Sequence, residues 1–273
     1  MSESPARASA PAPPAVAEDV FGENLATACR FVDLLCDSGV THGLIGPREV
    51  PRIWERHVLN CAVVQELLPV AVDVIDVGSG AGLPGLALAI RRPDCTVHLV
   101  EPMLRRTTWL SDAVQQLGLT NVEVHRGRAE EWWDRLATPV VTARAVARLA
   151  RLGAWSLPLL EPGGTLLALK GASATEELEQ DRAELDRLGV VSAEVVQVGP
   201  AGLEQPTTVV RCRVGNRPAG RGGPGARRTA GSAPTAGSGR TSGSGRTAGS
   251  RGQRSTGRRR GGRAGCGRRS GGD

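Results

Sequence analysis

No tyrosine and a single lysine, Lys170, occur in the 273 residues, although arginine occurs 33 times. A bias of that kind follows GC-rich coding and carries little about function. No apolar run reaches the roughly 18–20 residues that a membrane-spanning helix needs. The opening MSESPARASAPAPPAVAED is rich in proline and alanine and lacks the apolar centre of a secretory signal, so a cytoplasmic protein is expected. Six cysteines (Cys29, Cys36, Cys61, Cys95, Cys212, Cys266) form no CxxC and no Cys/His pair. That spacing argues against a zinc site and against a disulfide framework, and leaves them as core thiols.

What the chain does have is a sharp division of charge. Residues 217–273 hold 14 Arg and one Asp, or +13, so the net charge of +6 leaves +6 − 13 = −7 for residues 1–216. The tail also holds 18 Gly and no Leu, Ile, Val or aromatic residue. It has too little apolar surface to offset chain entropy, and disorder is expected over 215–273 and over the Pro/Ala-rich 1–17. An Arg/Gly tail either neutralises phosphates without reading sequence or is a solvated extension; composition leaves both open.

Between these ends the pattern alternates. Residues 18–70 read as a helical segment, with one helix around Phe21 to Cys36 and another opening near Pro51, where Trp54, Val58 and Cys61 make an apolar stripe and Arg52 and Arg56 share another face. Residues 71–214 read as the main domain. Short β-branched runs at 72–77, 96–101, 121–125, 139–144, 164–170, 192–198 and 207–214 are separated, for the first six, by helical stretches such as the one whose Met103, Leu110, Val114 and Leu117 share a face. Alternation predicts an α/β, doubly wound, mostly parallel seven-stranded sheet, with the last two strands forming a hairpin that adds an antiparallel edge.

The first strand runs into DVGSGAGLPG, Asp76 to Gly85. Glycines at 78, 80 and 82 allow a tight turn and bring bare backbone against a ligand at the carboxyl end of a strand. The third position of a dinucleotide GxGxxG motif is Leu83, and no GKS or GKT follows, so a pyrophosphate-binding loop is disfavoured. Asp76, two residues before the turn, suits the cationic methionine end of S-adenosylmethionine. Glu101, closing the second strand, offers a carboxylate to ribose hydroxyls.

Five stretches, RHVLNCAVV (56–64), DVGSGAGLPG (76–85), RAEEW (128–132), ARAVA (143–147) and ALKG (168–171), together resemble the bacterial small-subunit ribosomal RNA guanine-N7 methyltransferases called RsmG or GidB. The resemblance runs from about residue 20 to 214 and implies a Rossmann-like methyltransferase fold, S-adenosylmethionine as donor, and a guanosine in the 530 loop of 16S rRNA as acceptor. Carried over position by position, Gly78 and Leu83 match cofactor-loop contacts, Ala129 and Glu130 the adenine-side pair, and Arg144 the motif arginine of the fourth strand. The chain departs from the family at GLIGPRE (43–49), where Asn-Leu-Thr is frequent.

Guanine N7 carries a lone pair and no proton, so its methylation requires no general base, which agrees with the lack of an obvious catalytic pair; no catalytic acid or base is assigned. Arginines collect at the expected strand-end edge: Arg105, Arg106, Arg126, Arg128, Arg144, Arg148 and Arg151, with Lys170, and Arg52, Arg56 and His57 of the N-terminal helix able to join them. Among these, Arg52, Arg56, Arg148 and Lys170 are the candidate contacts to the 16S rRNA or small ribosomal subunit; for Lys170 an ion pair with a helix carboxylate is the competing role. Trp132 and Trp133 are read as core packing, with stacking on a base as the alternative, and His57, His98 and His125 as structural rather than catalytic; no metal is expected, and the default is a monomer. A small-molecule methyltransferase is the alternative function, and a non-catalytic RNA binder the third.

Overall fold

The computed structural model describes residues 10–144 and 147–216. Its strands are β1 (Asp73–Val77), β2 (Thr96–Glu101), β3 (Val122–Arg126), β4 (Thr138–Arg144), β5 (Leu160–Lys170), β6 (Val190–Val198) and β7 (Thr207–Val214). In β1 every residue after Asp73 is buried. A strand apolar on both faces has to be covered on both, which suits a parallel sheet between two helical layers. The seven strands lie in the order β3-β2-β1-β4-β5-β7-β6, and the first five run parallel.

The expected antiparallel hairpin is present at the far edge, with β7 inserted between β5 and β6. Burial explains the order. Val209, Val210 and Cys212 of β7 are fully buried and need cover on both sides, whereas most of β6 is partly or fully exposed and suits the rim.

The helices are α1 (Val16–Phe21), α2 (Leu25–Leu34), α3 (Asn60–Ala62) within a run of helical turns over 47–67, α4 (Gly85–Arg91), α5 (Leu104–Leu117), α6 (Leu149–Ser156) and α7 (Ala174–Arg187). Side chains alternate across a strand, so neighbouring residues enter different cores. Val74, Val97 and Leu99 meet Leu86, Leu110, Phe31 and Trp54 on the face covered by α4, α5 and the N-terminal helices. Ile75, Val100 and Val141 meet Leu149, Leu152 and Leu185 on the face covered by α6 and α7. The Trp54, Val58, Cys61 stripe is buried and its Arg52, Arg56 face is exposed, as the periodicity predicts.

Four expectations change. Disorder over 1–17 does not extend to residues 10–17: Trp54 Nε1 donates to Pro11 O at 3.0 Å, and Val16 and Ala17 begin α1 as core residues. The first helical stretch divides into α1 and α2, with a 3-10 turn at Gly22–Asn24 between them. Met103 leaves the apolar face of α5; it precedes the helix, 46% exposed, and its N–H donates to Glu101 Oε1 at 3.0 Å. Of the tail expected from 215, Gly215 is held in place, its carbonyl accepting from Gly163 N–H at 3.1 Å; residues 217–273 and Cys266 lie outside the described residues, as do residues 1–9. Cys36, Cys61, Cys95 and Cys212 are buried free thiols and Cys29 is partly buried.

Gly85 opens α4 where no side chain fits: a Cβ there would collide with Leu99 and stand 2.7 Å from Asp76 Oδ2. Gly85→Ala is expected to destabilise the fold by about 1–3 kcal/mol, read as a lower urea midpoint with an unchanged m-value.

Candidate functional site

The strand order reverses between β1 and β4, and in such sheets the crevice beyond the carboxyl ends at that point is the natural ligand site. The glycine turn lies there. Gly78, Gly80 and Gly82 have φ of +73°, +55° and +79°, a region that disfavours side-chain-bearing residues. Gly78 N–H donates to Val100 O at 2.8 Å, which ties the turn to the end of β2. Above it opens a cavity of about 470 Å3. Its lining includes Gly78, Ser79, Gly80 and Leu83 of the turn, Glu101 and Arg106, Arg144 and His57, and Leu44 and Ile45 of the N-terminal segment.

Two carboxylates at this strand end meet different fates. Glu101, 1% exposed, is clasped by the N–H groups of Gly80 and Met103, each at 3.0 Å, and Arg106 Nη1 stands 3.5 Å from it. It faces the cavity. Asp76 does not: it is completely buried beneath the turn, where its Oδ2 accepts the Gly85 N–H at 2.9 Å. Burial pushes its carboxyl up to about 7, with the nearby Glu101 adding to the rise and the Gly85 hydrogen bond opposing it. Its other oxygen has no partner among the described residues. The expected pairing of Asp76 with a ligand cation is therefore corrected: Asp76 supports the loop from below.

Arg144, at the end of β4, reaches across to the N-terminal helical segment. Its Nη1 donates to Cys61 Sγ at 3.2 Å, and its Nη2 to Arg56 O at 3.1 Å and to His57 Nδ1 at 2.7 Å. His57 Nε2 in turn lies 2.9 Å from Glu49 Oε2, which also pairs with Arg56 at 3.2 Å. Burial, reinforced by the Arg144 charge, holds the His57 imidazole below its ordinary range. A neutral ring with its proton on Nε2 accepts from Arg144 and donates to Glu49, so each contact has one donor and one acceptor. The hydrogen bond from His57, followed by the charge of Arg56, lowers Glu49 in turn.

The remaining expected site residues divide. Ala129 is buried and Glu130 exposed on the turn after β3, next to Gly127, whose N–H donates to Glu101 O at 3.2 Å; neither lines the cavity. Arg52, Arg56 and Lys170 are brought together on a second cavity of about 770 Å3, beside the first. Arg52 and Arg56 are exposed there, but Lys170 is committed internally, its Nζ bonded to Glu177 Oε1 and Ala147 O, both at 2.8 Å. The competing ion-pair role is the one the geometry gives it. Arg148, 63% exposed, pairs with Asp181 at 2.9 Å before α6. Trp133 is packed with its Nε1 on Trp155 O. Sequence reasoning missed Glu49, Cys61, Leu44, Ile45 and the cavity-facing role of Arg106; the departure at GLIGPRE was the available signal for three of these.

Residues 24–205 match the family model described as GidB: rRNA small subunit methyltransferase G. The chain is 57% identical over 202 residues to the ribosomal RNA small subunit methyltransferase G of Thermobifida fusca (strain YX), covering 74% of this chain and 85% of that one. It is 53% identical over 211 residues to the protein of that name from Streptomyces coelicolor (strain ATCC BAA-471 / A3(2) / M145), covering 77% and 88%.

Because the folded carboxyl of Asp76 titrates near 7 rather than at 3.8, its contribution to stability is fully present below about pH 4 and is lost as the pH rises to about 7. Asp76→Asn keeps an acceptor for Gly85 and removes that loss. Between pH 4 and pH 8 the variant is expected to gain on the wild type by on the order of 4 kcal/mol, measured as the difference between their urea unfolding free energies.

Proposed function

We propose, for a chain that belongs to the GidB family of small-subunit ribosomal RNA methyltransferases, that it transfers the methyl group of S-adenosylmethionine to N7 of a guanosine in the 530 loop of 16S rRNA. The observation that carries this reading is the Glu101 carboxylate, fixed by two backbone N–H groups at the lip of a cavity floored by the glycine turn. Each of its oxygens keeps a lone pair free, so a ribose with vicinal hydroxyls is the group that Glu101 would hold. A cavity of about 470 Å3 is of the size that small ligands occupy. Leu44, Ile45 and Leu83 supply its apolar lining.

When bound, the donor supplies a methyl carbon made electrophilic by its sulfonium. The chain has to supply alignment. Arg144 uses three of its five N–H donors internally and keeps two for a carboxylate or a phosphate at the cavity. Because N7 has a lone pair and no proton to lose, no base is needed; His57, which lines the cavity, has both ring nitrogens engaged, one by Arg144 and one by Glu49. Holding the reacting atoms about 3–3.5 Å apart is worth about 7–11 kcal/mol. Arg52, Arg56 and Arg148 present exposed charge at the same strand-end edge for phosphates, which position the RNA without reading it.

The test is incubation with methyl-labelled S-adenosylmethionine and 30S subunits, naked 16S rRNA or a pool of metabolites, followed by mapping of 7-methylguanosine. One labelled guanosine in the 530 loop is expected. Label confined to small molecules would replace this reading by a metabolite methyltransferase, and RNA binding without transfer by a passive binder. Glu101→Ala is expected to weaken S-adenosylmethionine binding about 10- to 100-fold by calorimetry, the worth of charge-assisted hydrogen bonds of about 1.5–3 kcal/mol.

A further inference from the structure

We propose that His98, Glu123 and His125 form a site for a divalent transition-metal cation, with Zn2+ the best fit, that clips the outermost strand β3 to β2. The three residues share one face of the sheet. In the parallel register His98 lies opposite Glu123, and Val100 opposite His125, so the two β3 side chains, two positions apart, both stand beside His98. The cavity described above shares none of them.

The geometry is that of a coordination triangle. His98 Nδ1 is 3.1 Å from His125 Nε2, and Glu123 Oε2 is 3.4 Å from the first and 3.5 Å from the second. A tetrahedral zinc ion with bonds of about 2.0–2.1 Å holds its ligand atoms about 3.3 Å apart. A cation just off the plane of these three atoms therefore touches all of them with shifts of a few tenths of an ångström.

Hydrogen bonding among the three accounts for the triangle less well. Neutral imidazoles have one proton each, and a proton on His98 Nδ1 that points at His125 Nε2 is turned away from Glu123 Oε2. A cation satisfies all three lone pairs together. Two imidazoles and one carboxylate select zinc-like ions over magnesium or calcium, which take oxygen ligands.

Access and rigidity agree with a metal site. Both imidazoles are mostly covered, 12% and 14% exposed, while Glu123 is 61% exposed and opens the fourth position to water. Trp132 forms a wall with its ring 4.7 Å from that of His125, and its buried indole N–H has no acceptor among the described residues. An apolar wall of this kind limits solvent at a metal. Occupancy would brace an edge strand that leads directly into the Gly127 to Glu130 turn.

Full-length protein is stripped with EDTA, dialysed, and titrated with ZnCl2 at pH 7.5 against a chromophoric chelator, with melting followed in parallel. One Zn2+ equivalent that requires these residues is expected, with a higher melting temperature in its presence. Co2+ should give tetrahedral d–d absorption without a thiolate charge-transfer band, which separates this site from the cysteines. Glu123→Gln, at an exposed position, should weaken binding about tenfold or more, and His98→Gln should abolish the melting shift. The proposal is overturned by affinity weaker than about 0.1 mM, by binding unchanged in both variants, or by a thiolate band.

Discussion

The site depends on one guanidinium. Arg144 ends the strand at which the sheet reverses its order, and its contacts to Cys61, the Arg56 carbonyl and His57 attach the N-terminal helical segment to the strand ends. That attachment brings Leu44 and Ile45 over the cavity and keeps Arg52 and Arg56 beside it. A cation half-withdrawn from water needs acceptors, and the segment provides them at about 1.5–3 kcal/mol for each hydrogen bond to a charged group. The arrangement holds only while His57 is neutral. Its burial and the Arg144 charge both favour that state, and Glu49 accepts the hydrogen bond from the ring's Nε2–H.

The glycine turn is held from two directions by acids with separate duties. Asp76 grips the start of α4 from inside the core, and Glu101 grips Gly80 from the side while keeping free lone pairs toward the cavity. The low dielectric around Asp76 raises its carboxyl to about 7. Glu101 accepts from two N–H groups and has Arg106 Nη1 3.5 Å away. A loop braced in this way is preorganised, so a ligand does not have to order it. On the opposite face, Lys170–Glu177 ties α7 to the end of β5 and Arg148–Asp181 ties it to the start of α6, with Asp181 also accepting the Ala150 N–H.

Much of this was legible in residue order. Runs such as Thr96–Glu101 and Thr207–Val214 appear as strands with the bounds their β-branched pattern predicts, and the glycines of 78–82 mark the turn that follows β1. Local chemistry accounts for that success: a strand's side-chain period and a glycine's freedom at positive φ are carried by a few adjacent residues. Met103 misled because an apolar residue one position before a helix fits the helical period without being in the helix. For Lys170 the residue order left an RNA contact and an ion pair with a helix carboxylate both open, and the fold decided for the pair by bringing Glu177, seven residues on, back against it.

By itself the sequence determined the alternating α/β plan, the place of the glycine turn, the acid that closes β2 and membership of a methyltransferase family, all written in short contiguous stretches. Only the tertiary structure decided which acid faces the cavity, that Glu49 and Cys61 serve Arg144, and that His98 meets Glu123 and His125. Those pairings join residues 25 to 95 positions apart, and no periodicity along the chain encodes them. They follow from the order in which strands lie side by side, which the packing of both helical layers sets.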